Sequence, residues 1–327
     1  MPTISVITSV YNGERWLAES ITSVLEQTYE DFEFIIVNDG STDSSLQMAR
    51  RYASSDHRIR VLDKKNTGLA DSLNQGISCA RGEWIARLDA DDVCEPRRLE
   101  LQLEYAKADK RLILIGSAMS QINQVGSIER RFRYPSCHED LVRNLIRMDR
   151  FFPHSSAFFR LDSFRKVGGY RVRIKRAQDC DLWFRLSRMG RIGCLQAPLV
   201  RIRWHDQQIS HDESGRRQIT DARMALASYL LQCQGATDPL EPTSTEQDFE
   251  AFRSFFEDHL RSSRVFERAE FIRQFKSCLK RQSAAPALFK ILTASSNWGH
   301  IIEYVRDRAV GETVAHKIVD DWLARKA

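Results

Sequence analysis

Asp89-Ala90-Asp91-Asp92 places three carboxylates within four residues, directly after the apolar run Trp84-Ile85-Ala86-Arg87-Leu88. Carboxylates this close repel one another unless a cation neutralises them. At the C-terminal end of a strand in an α/β sheet, that cation usually comes with a phosphate-bearing ligand. The hard oxygen donors suit Mg²⁺ or Mn²⁺, which bind through one or two carboxylates plus substrate phosphates. In an extended segment Asp89 and Asp91 project to the same side. The competing reading is an acidic helix start, because Asp92 precedes Pro96 and negative charge favours a helix N-terminus. It accounts for Asp92 and leaves Asp89 and Asp91 unexplained, so a metal site with a nucleotide beside it is the expectation.

Further chemistry is spread along the chain. Asp39 follows the apolar segment Phe32–Val37 and precedes Gly40-Ser41-Thr42-Asp43. A carboxylate at such a strand tip accepts hydrogen bonds from a base or sugar, although Asn-Asp-Gly-Ser is also good turn chemistry. Ser9-Val10-Tyr11-Asn12-Gly13 closes the first apolar run, and Tyr11 there could stack on a base. Asp179 and Asp181 both lie where a helix opens. Either could cap it, and either could be a general base for an acceptor hydroxyl. His154 and His205 adjoin loop-like sequence, where a lone histidine is more often structural than a ligand. Arginine is dense between Arg130 and Arg203; many are solvated, and some suit an anionic acceptor or a donor diphosphate.

Alternating elements must position these groups. Ile4–Val10 is expected as a strand, Glu14–Gln27 as a helix and Phe32–Val37 as a strand. Ser41 or Asp43 is expected to cap the following helix. Arg58–Leu62 is then a strand, Leu69–Ala80 a helix and Glu83–Leu88 a strand. Pro96 suits the first turn of a helix running to about Ala108, and Leu112–Ile115 is a fifth strand. This rhythm predicts a mostly parallel sheet with helices on both faces. Segments 120–135 and 150–160 look like mixed strands and loops, Asp179–Met189 is helical, and Leu199–Trp204 is a last strand. From about Thr220 the pattern is helical to the end, broken by a Pro/Ser/Thr-rich link at Asp238–Thr245.

The composition is that of a soluble globular chain, with 42% hydrophobic and 28% charged residues. No apolar run approaches the ~20 residues that span a bilayer, and the N-terminus shows no signal pattern, so a cytoplasmic protein is expected. The seven cysteines include no C-x-x-C pair, which argues against a zinc or redox motif. The net charge of +5 is carried from Ala251 onward, where 14 Lys/Arg face 9 Asp/Glu. Such a basic tail is either a solvated helical face or a surface for the inner membrane face.

Taken together these motifs resemble the family 2 glycosyltransferases. The run Ile4-Ser5-Val6-Ile7-Thr8-Ser9-Val10-Tyr11-Asn12 is similar to that family's opening strand. Phe32–Asp43, Asn66-Thr67-Gly68-Leu69, and Arg81–Asp92 with its DxD motif continue the likeness. It resumes at Pro153-His154-Ser155-Ser156, Gly168-Gly169-Tyr170, Gln178–Trp183 and Arg201–His205, and covers about residues 2–211. The resemblance implies a GT-A fold at residues 1–215; the C-terminal region at 216–327 lies beyond it, and its expected α-helical character and membrane or partner docking rest on periodicity and basic charge alone. The resemblance also implies a nucleotide-diphosphate sugar donor, a glycan or lipid-linked saccharide acceptor and no nucleic acid. By this likeness Ser9, Tyr11 and Asp39 line the base pocket, and Asp89 meets the ribose or the metal shell. Asp91 binds Mn²⁺ or Mg²⁺, with His205 approaching it, and Asp179 is the base of an inverting transfer. The setting it implies is bacterial surface polysaccharide synthesis. The chain departs from the pattern at Ser9, usually Pro; at Asn38, often Asp; and at Gln178, commonly acidic. A nucleotidyltransferase and a non-catalytic scaffold are the alternatives. The first usually carries a Gly-rich basic loop that Ser9–Gly13 lacks, and the second would have lost the carboxylates.

Overall fold

The computed structural model describes residues 1–205, 215–241, 243–262 and 319–324. They fall into two compact units. One is Met1–Leu145 with Arg150–Gly215, and the other is Ile146–Asp149 with the described residues from Arg216 onward.

The first half of the chain alternates as its apolar periodicity predicts. β1 (Ile4–Val10), α1 (Leu17–Leu25), β2 (Phe32–Asp39), α2 (Ser45–Ser55), β3 (Ile59–Lys64), α3 (Leu69–Ser78) and β4 (Trp84–Arg87) follow in turn. After these come β5 (Val93–Cys94), α4 (Arg98–Ala108), β6 (Leu112–Ile122), β7 (Ile128–Phe132) and α5 (His138–Ile146). A 3₁₀ turn (His154–Ser156), β8 (Phe158–Arg160), α6 (Leu161–Lys166), α7 (Gln178–Ser187) and β9 (Arg191–Arg203) complete the first unit.

The strands form one sheet in the order β3-β2-β1-β4-β8-β6-β9-β5, with β7 added to β6. The expected parallel arrangement holds across β3-β2-β1-β4. Beyond β4 the sheet is mixed: β8 runs antiparallel to β4 and β6, β6 and β9 are parallel, and β5 is antiparallel to β9. Both faces of the parallel part are covered, so its strands are near-continuous apolar runs. Val6, Phe34 and Ile36 pack with Leu17, Ile21 and Val24 of α1 and Leu99 and Leu103 of α4. The alternate residues Ile7, Ile35 and Val37 face α3, which comes close because residue 76 is glycine. A Cβ there would lie 2.8 Å from Val37 Cγ2.

Two expectations shift. β9 begins at Arg191 rather than Leu199, because a Gly- and Pro-bearing stretch that resembles a loop is absorbed by irregularities in its register with β6. Asp92 does not start the helix after it: α4 begins at Arg98, and Asp92 turns inward.

In the second unit α8 (Gly215–Cys233) and α9 (Glu246–Ser262) are helical. Phe252 packs on Phe256 and on Trp322, with ring centroids 5.5 and 5.0 Å apart. The link between the helices is pinned by Asp238, whose carboxylate accepts from Ser228 Oγ at 2.8 Å and from the Leu240 backbone N–H at 2.9 Å. Most of the tail beyond Ser262 lies outside the described residues, and with it most of the expected basic docking surface.

Candidate active site

The parallel strands deliver their C-terminal ends to one edge. β1 lies between β2 and β4, so Asp39 at the end of β2 and Asp89 just past β4 flank the β1–α1 loop. That loop is tied to the β2–α2 loop in both directions. Asn12 N–H donates to Ser41 Oγ at 3.0 Å, and Asn12 Oδ1 accepts from Thr42 N–H at 2.8 Å. Gly13 N–H donates to Ser45 Oγ, and Ser44 N–H to Glu14 Oε2, both at 2.9 Å. Neither expected residue is the cap of α2: the N-cap is Ser44, and Asp43, one residue before it, accepts the Ser45 N–H at 3.0 Å. Ser9 is half-buried in β1 opposite Val37, and Tyr11 is 54% exposed just beyond it.

Asp39 is buried, yet it has partners. Its Oδ1 accepts from Lys64 Nζ at 2.5 Å and from Thr67 N–H at 2.9 Å, and its Oδ2 accepts from Gly68 N–H at 3.0 Å. Burial opposes its charge, but Lys64, the Thr67 N–H and the Ser72 hydroxyl outweigh burial and lower its pKa. Gly40 makes this geometry accessible: its φ is +72°, and a Cβ would lie 2.7 Å from Asn66 N, in the loop that supplies the amides.

The acidic cluster is organised by a residue distant in sequence. Ser155 Oγ accepts from Arg87 Nη1 at 2.9 Å and from Asp89 N–H at 3.0 Å. Its single proton is contested by Asp89 Oδ2 at 3.0 Å and Asp92 Oδ2 at 2.5 Å. Arg87, 2% exposed, also pairs with Asp89 Oδ1. Asp92 uses its other oxygen to accept the Arg203 N–H at 2.9 Å. Burial, then the charges of Asp91 and Asp89, push the Asp92 pKa well up. Asp92 is therefore an internal brace, and Asp91 is the more open carboxylate. Asp91 Oδ2 meets His205 Nε2 at 2.8 Å, brought in by the end of β9. Trp16 lies over the His205 ring at 4.1 Å between centroids.

A divalent cation fits this set. Oxygen atoms of Asp89, Asp91 and Asp92 lie within 4.8 Å of one another. The buried His205 Nδ1 has no hydrogen-bond partner among the described residues, so the imidazole is fixed only through the nitrogen that faces Asp91. An oxygen-rich site with one imidazole suits Mn²⁺ or Mg²⁺ better than a soft ion.

At the start of α7 the structure separates two acids that the sequence left equivalent. Asp181 is buried between two arginines: Oδ1 accepts from Arg171 Nη1 at 3.1 Å, and Oδ2 from Arg185 Nη2 at 2.6 Å. Among the described residues, Asp179 Oδ1 accepts the adjacent Cys180 N–H at 2.8 Å and has no ion pair. Burial raises the Asp179 pKa against the pull of that N–H and of Arg87. Neither acid occupies the N-cap, which is Ala177 at φ 56°. Behind them His154 Nε2 meets Tyr170 OH at 2.7 Å, and burial, then the Arg87 charge, keeps His154 neutral by lowering its pKa well below the usual value. Asp181→Asn is expected to cost about 3–5 kcal/mol of stability, because it removes the anionic partner from the buried ion pairs with Arg171 and Arg185. Chemical denaturation of the variant measures this.

Lys64, Arg87 and Ser155 are the site residues that sequence reasoning passed over. Arg87 carried a signal, a charge inside an otherwise apolar strand. Ser155 carried only its place in Pro-His-Ser-Ser.

A family profile described as glycosyl transferase family 2 matches residues 5–168. The chain is 38% identical over 207 residues to the putative glycosyltransferase EpsE of Bacillus subtilis, covering 62% of this chain and 73% of that protein. Among solved structures it is similar to S. aureus TarS 1–349 in complex with UDP-GlcNAc, with a TM-score of 0.60, 18% identity and coverage of 81% and 74% of the two chains. It is also similar to the mannosyltransferase PcManGT from Pyrobaculum calidifontis in complex with GDP-Man and Mn²⁺, with a TM-score of 0.52, 16% identity and coverage of 95% and 87%.

Proposed function

Because this chain belongs to glycosyl transferase family 2 and has that family's GT-A fold, we propose that it moves a sugar from a nucleotide-diphosphate donor to an acceptor hydroxyl with inversion. The acceptor is a glycan or lipid-linked saccharide of a bacterial surface polysaccharide. Residues 1–215 are the transfer domain, to which residues 216–327 are appended. The observation that carries the reading is the contrast at α7. Asp181 is engaged by Arg171 and Arg185, while Asp179 has no cation bonded to it among the described residues and senses Arg87 and Asp89 of the acidic cluster.

Each residue then has a task. Asp39 accepts an N–H of the base, with Ser9 and Tyr11 lining the same pocket. Asp89, held by Arg87 and Ser155, meets the ribose or the metal shell. Asp91 and His205 hold Mn²⁺ or Mg²⁺. That ion supplies Lewis-acid stabilisation of the departing diphosphate. Asp179 takes the proton of the attacking hydroxyl on the far side of the sugar carbon. The UDP-GlcNAc complex of TarS and the GDP-Man and Mn²⁺ complex of PcManGT support the donor class and the ion.

Calorimetric titration with UDP, GDP and dTDP tests the donor site. One of them is expected to bind in Mn²⁺ and to lose most of its affinity in EDTA. Failure of all three to bind would count against the reading. NMR of the product's anomeric carbon, inverted relative to the donor, tests the stereochemistry.

A further inference from the structure

We propose that the β6–β7 hairpin is a membrane-docking element that seats on anionic phospholipid headgroups. β7 is an added strand that pairs only with β6 among the described residues, so its outer edge is open. It is exposed along most of its length and carries Arg130 and Arg131, with Arg133 following. None of the three has an ion pair or hydrogen bond among the described residues, and the one acid beside them, Glu129, is engaged by Gln121 Nε2 at 2.9 Å. Arg150 adds a fourth guanidinium 5.5 Å from the Phe132 ring. At the tip Val125 is 83% exposed and Ile128 50% exposed.

This combination selects among occupants. A second copy pairing along the edge would set arginines against arginines. A polyanion such as RNA would answer the guanidiniums but not the aliphatic tip, and the one ring on the strand, Phe132, is half-buried beneath Arg150. An anionic lipid surface answers both, with phosphates for the arginines and the acyl boundary for Val125 and Ile128. The described tail helix is a poorer candidate: α9, EQDFEAFRSFFEDHLRS, is rich in acids.

The hairpin is also tied to the acidic cluster. The turn carbonyls of Asn123 and Gln124 both accept from Arg203 Nη1 at 3.2 Å, and Trp16 Nε1 donates to Gln124 O at 3.4 Å. Trp16 packs against His205, which meets Asp91. Docking this hairpin therefore sets the metal-binding flank at a fixed height from the lipid surface, which suits a lipid-linked acceptor. In that respect the inference deepens the acceptor assignment above. Vesicle binding needs neither donor nor Asp179, so its failure would leave the transfer reading standing.

The test is flotation of the full chain with phosphatidylcholine vesicles, with and without one-third phosphatidylglycerol. The wild-type chain is expected to float with the anionic vesicles only and to be released by high salt. Arg130→Ser/Arg131→Ser/Arg133→Ser should weaken binding roughly a hundredfold. Val125→Ser/Ile128→Ser, with no change in charge, should weaken it about tenfold. Arg51→Ser/Lys107→Ser/Lys110→Ser, the same charge change at exposed positions elsewhere, should bind like wild type. The proposal is overturned if wild type ignores anionic vesicles, or if the arginine variant still binds as wild type does. It is equally overturned if the control triple is as weak as the arginine triple, or if the aliphatic variant is unaffected, which marks a plain polyanion site.

Discussion

Asp179→Asn is expected to lower sugar transfer by about a thousandfold while donor affinity stays at the wild-type level. The amide keeps the size of the side chain and its acceptor for the Cys180 N–H, but it cannot take a proton from a hydroxyl. The raised pKa adds a second signature. Transfer needs the ionised carboxylate, so activity should rise with pH through a limb above the ordinary carboxylate range. Stability follows the opposite sign. A folded-state pKa above the unfolded value means that ionisation costs stability, and the cost accumulates as pH rises through that window. Asn never ionises, so the variant should melt no lower than wild type at neutral pH, with the difference vanishing in acid. Thermal melts beside single-turnover assays separate this result from the Asp181→Asn variant, which should lose stability. Wild-type turnover in Asp179→Asn would remove the base assignment.

Asp91→Asn is the second large effect. Among the described residues, its carboxylate is the member of the acidic cluster that meets His205. Loss of one anionic oxygen ligand removes stabilisation of a departing diphosphate that is worth several kcal/mol, so transfer should fall about a thousandfold or more. The fold should survive, because Asn still offers an oxygen to a His205 Nε2–H and the Asp91 backbone carbonyl keeps its bond from Arg203 Nε. The distinguishing readout is metal dependence. Wild-type donor affinity should collapse in EDTA, whereas the variant's weaker affinity should barely respond. A variant that still answers to Mn²⁺ as wild type does would place the ion on other ligands.

The parallel half of the sheet was legible because its signals are local. β1 was placed to the residue from its apolar run, and β2 with its terminal Asp39 followed from the same logic. Asp39, Asp89 and Asp91 were singled out because strand ends in such sheets are where ligands bind. What escaped was set by distant partners. Asp181 is a partial exception: the i,i+4 spacing to Arg185 was a local signal, while Arg171, ten residues before it, gave none. Ser155 organises Asp89 and Asp92 from 66 and 63 residues away, and Lys64 reaches Asp39 across 25. Asp92 looked like a helix start because Pro96 follows it, and tertiary bonds to Ser155 and Arg203 overrode that local preference. Two-residue β5 carries too little pattern to be seen without its partner β9.

The central claim, transfer from a nucleotide-diphosphate sugar at a metal-assisted site, is tested most directly by incubating the purified chain with a panel of nucleotide sugars in Mn²⁺ and assaying the nucleotide released. Hydrolysis of one donor to its nucleoside diphosphate is predicted, abolished by EDTA and by Asp91→Asn. Release of pyrophosphate from a nucleoside triphosphate and a sugar phosphate, with no nucleoside diphosphate from any donor, would contradict the account.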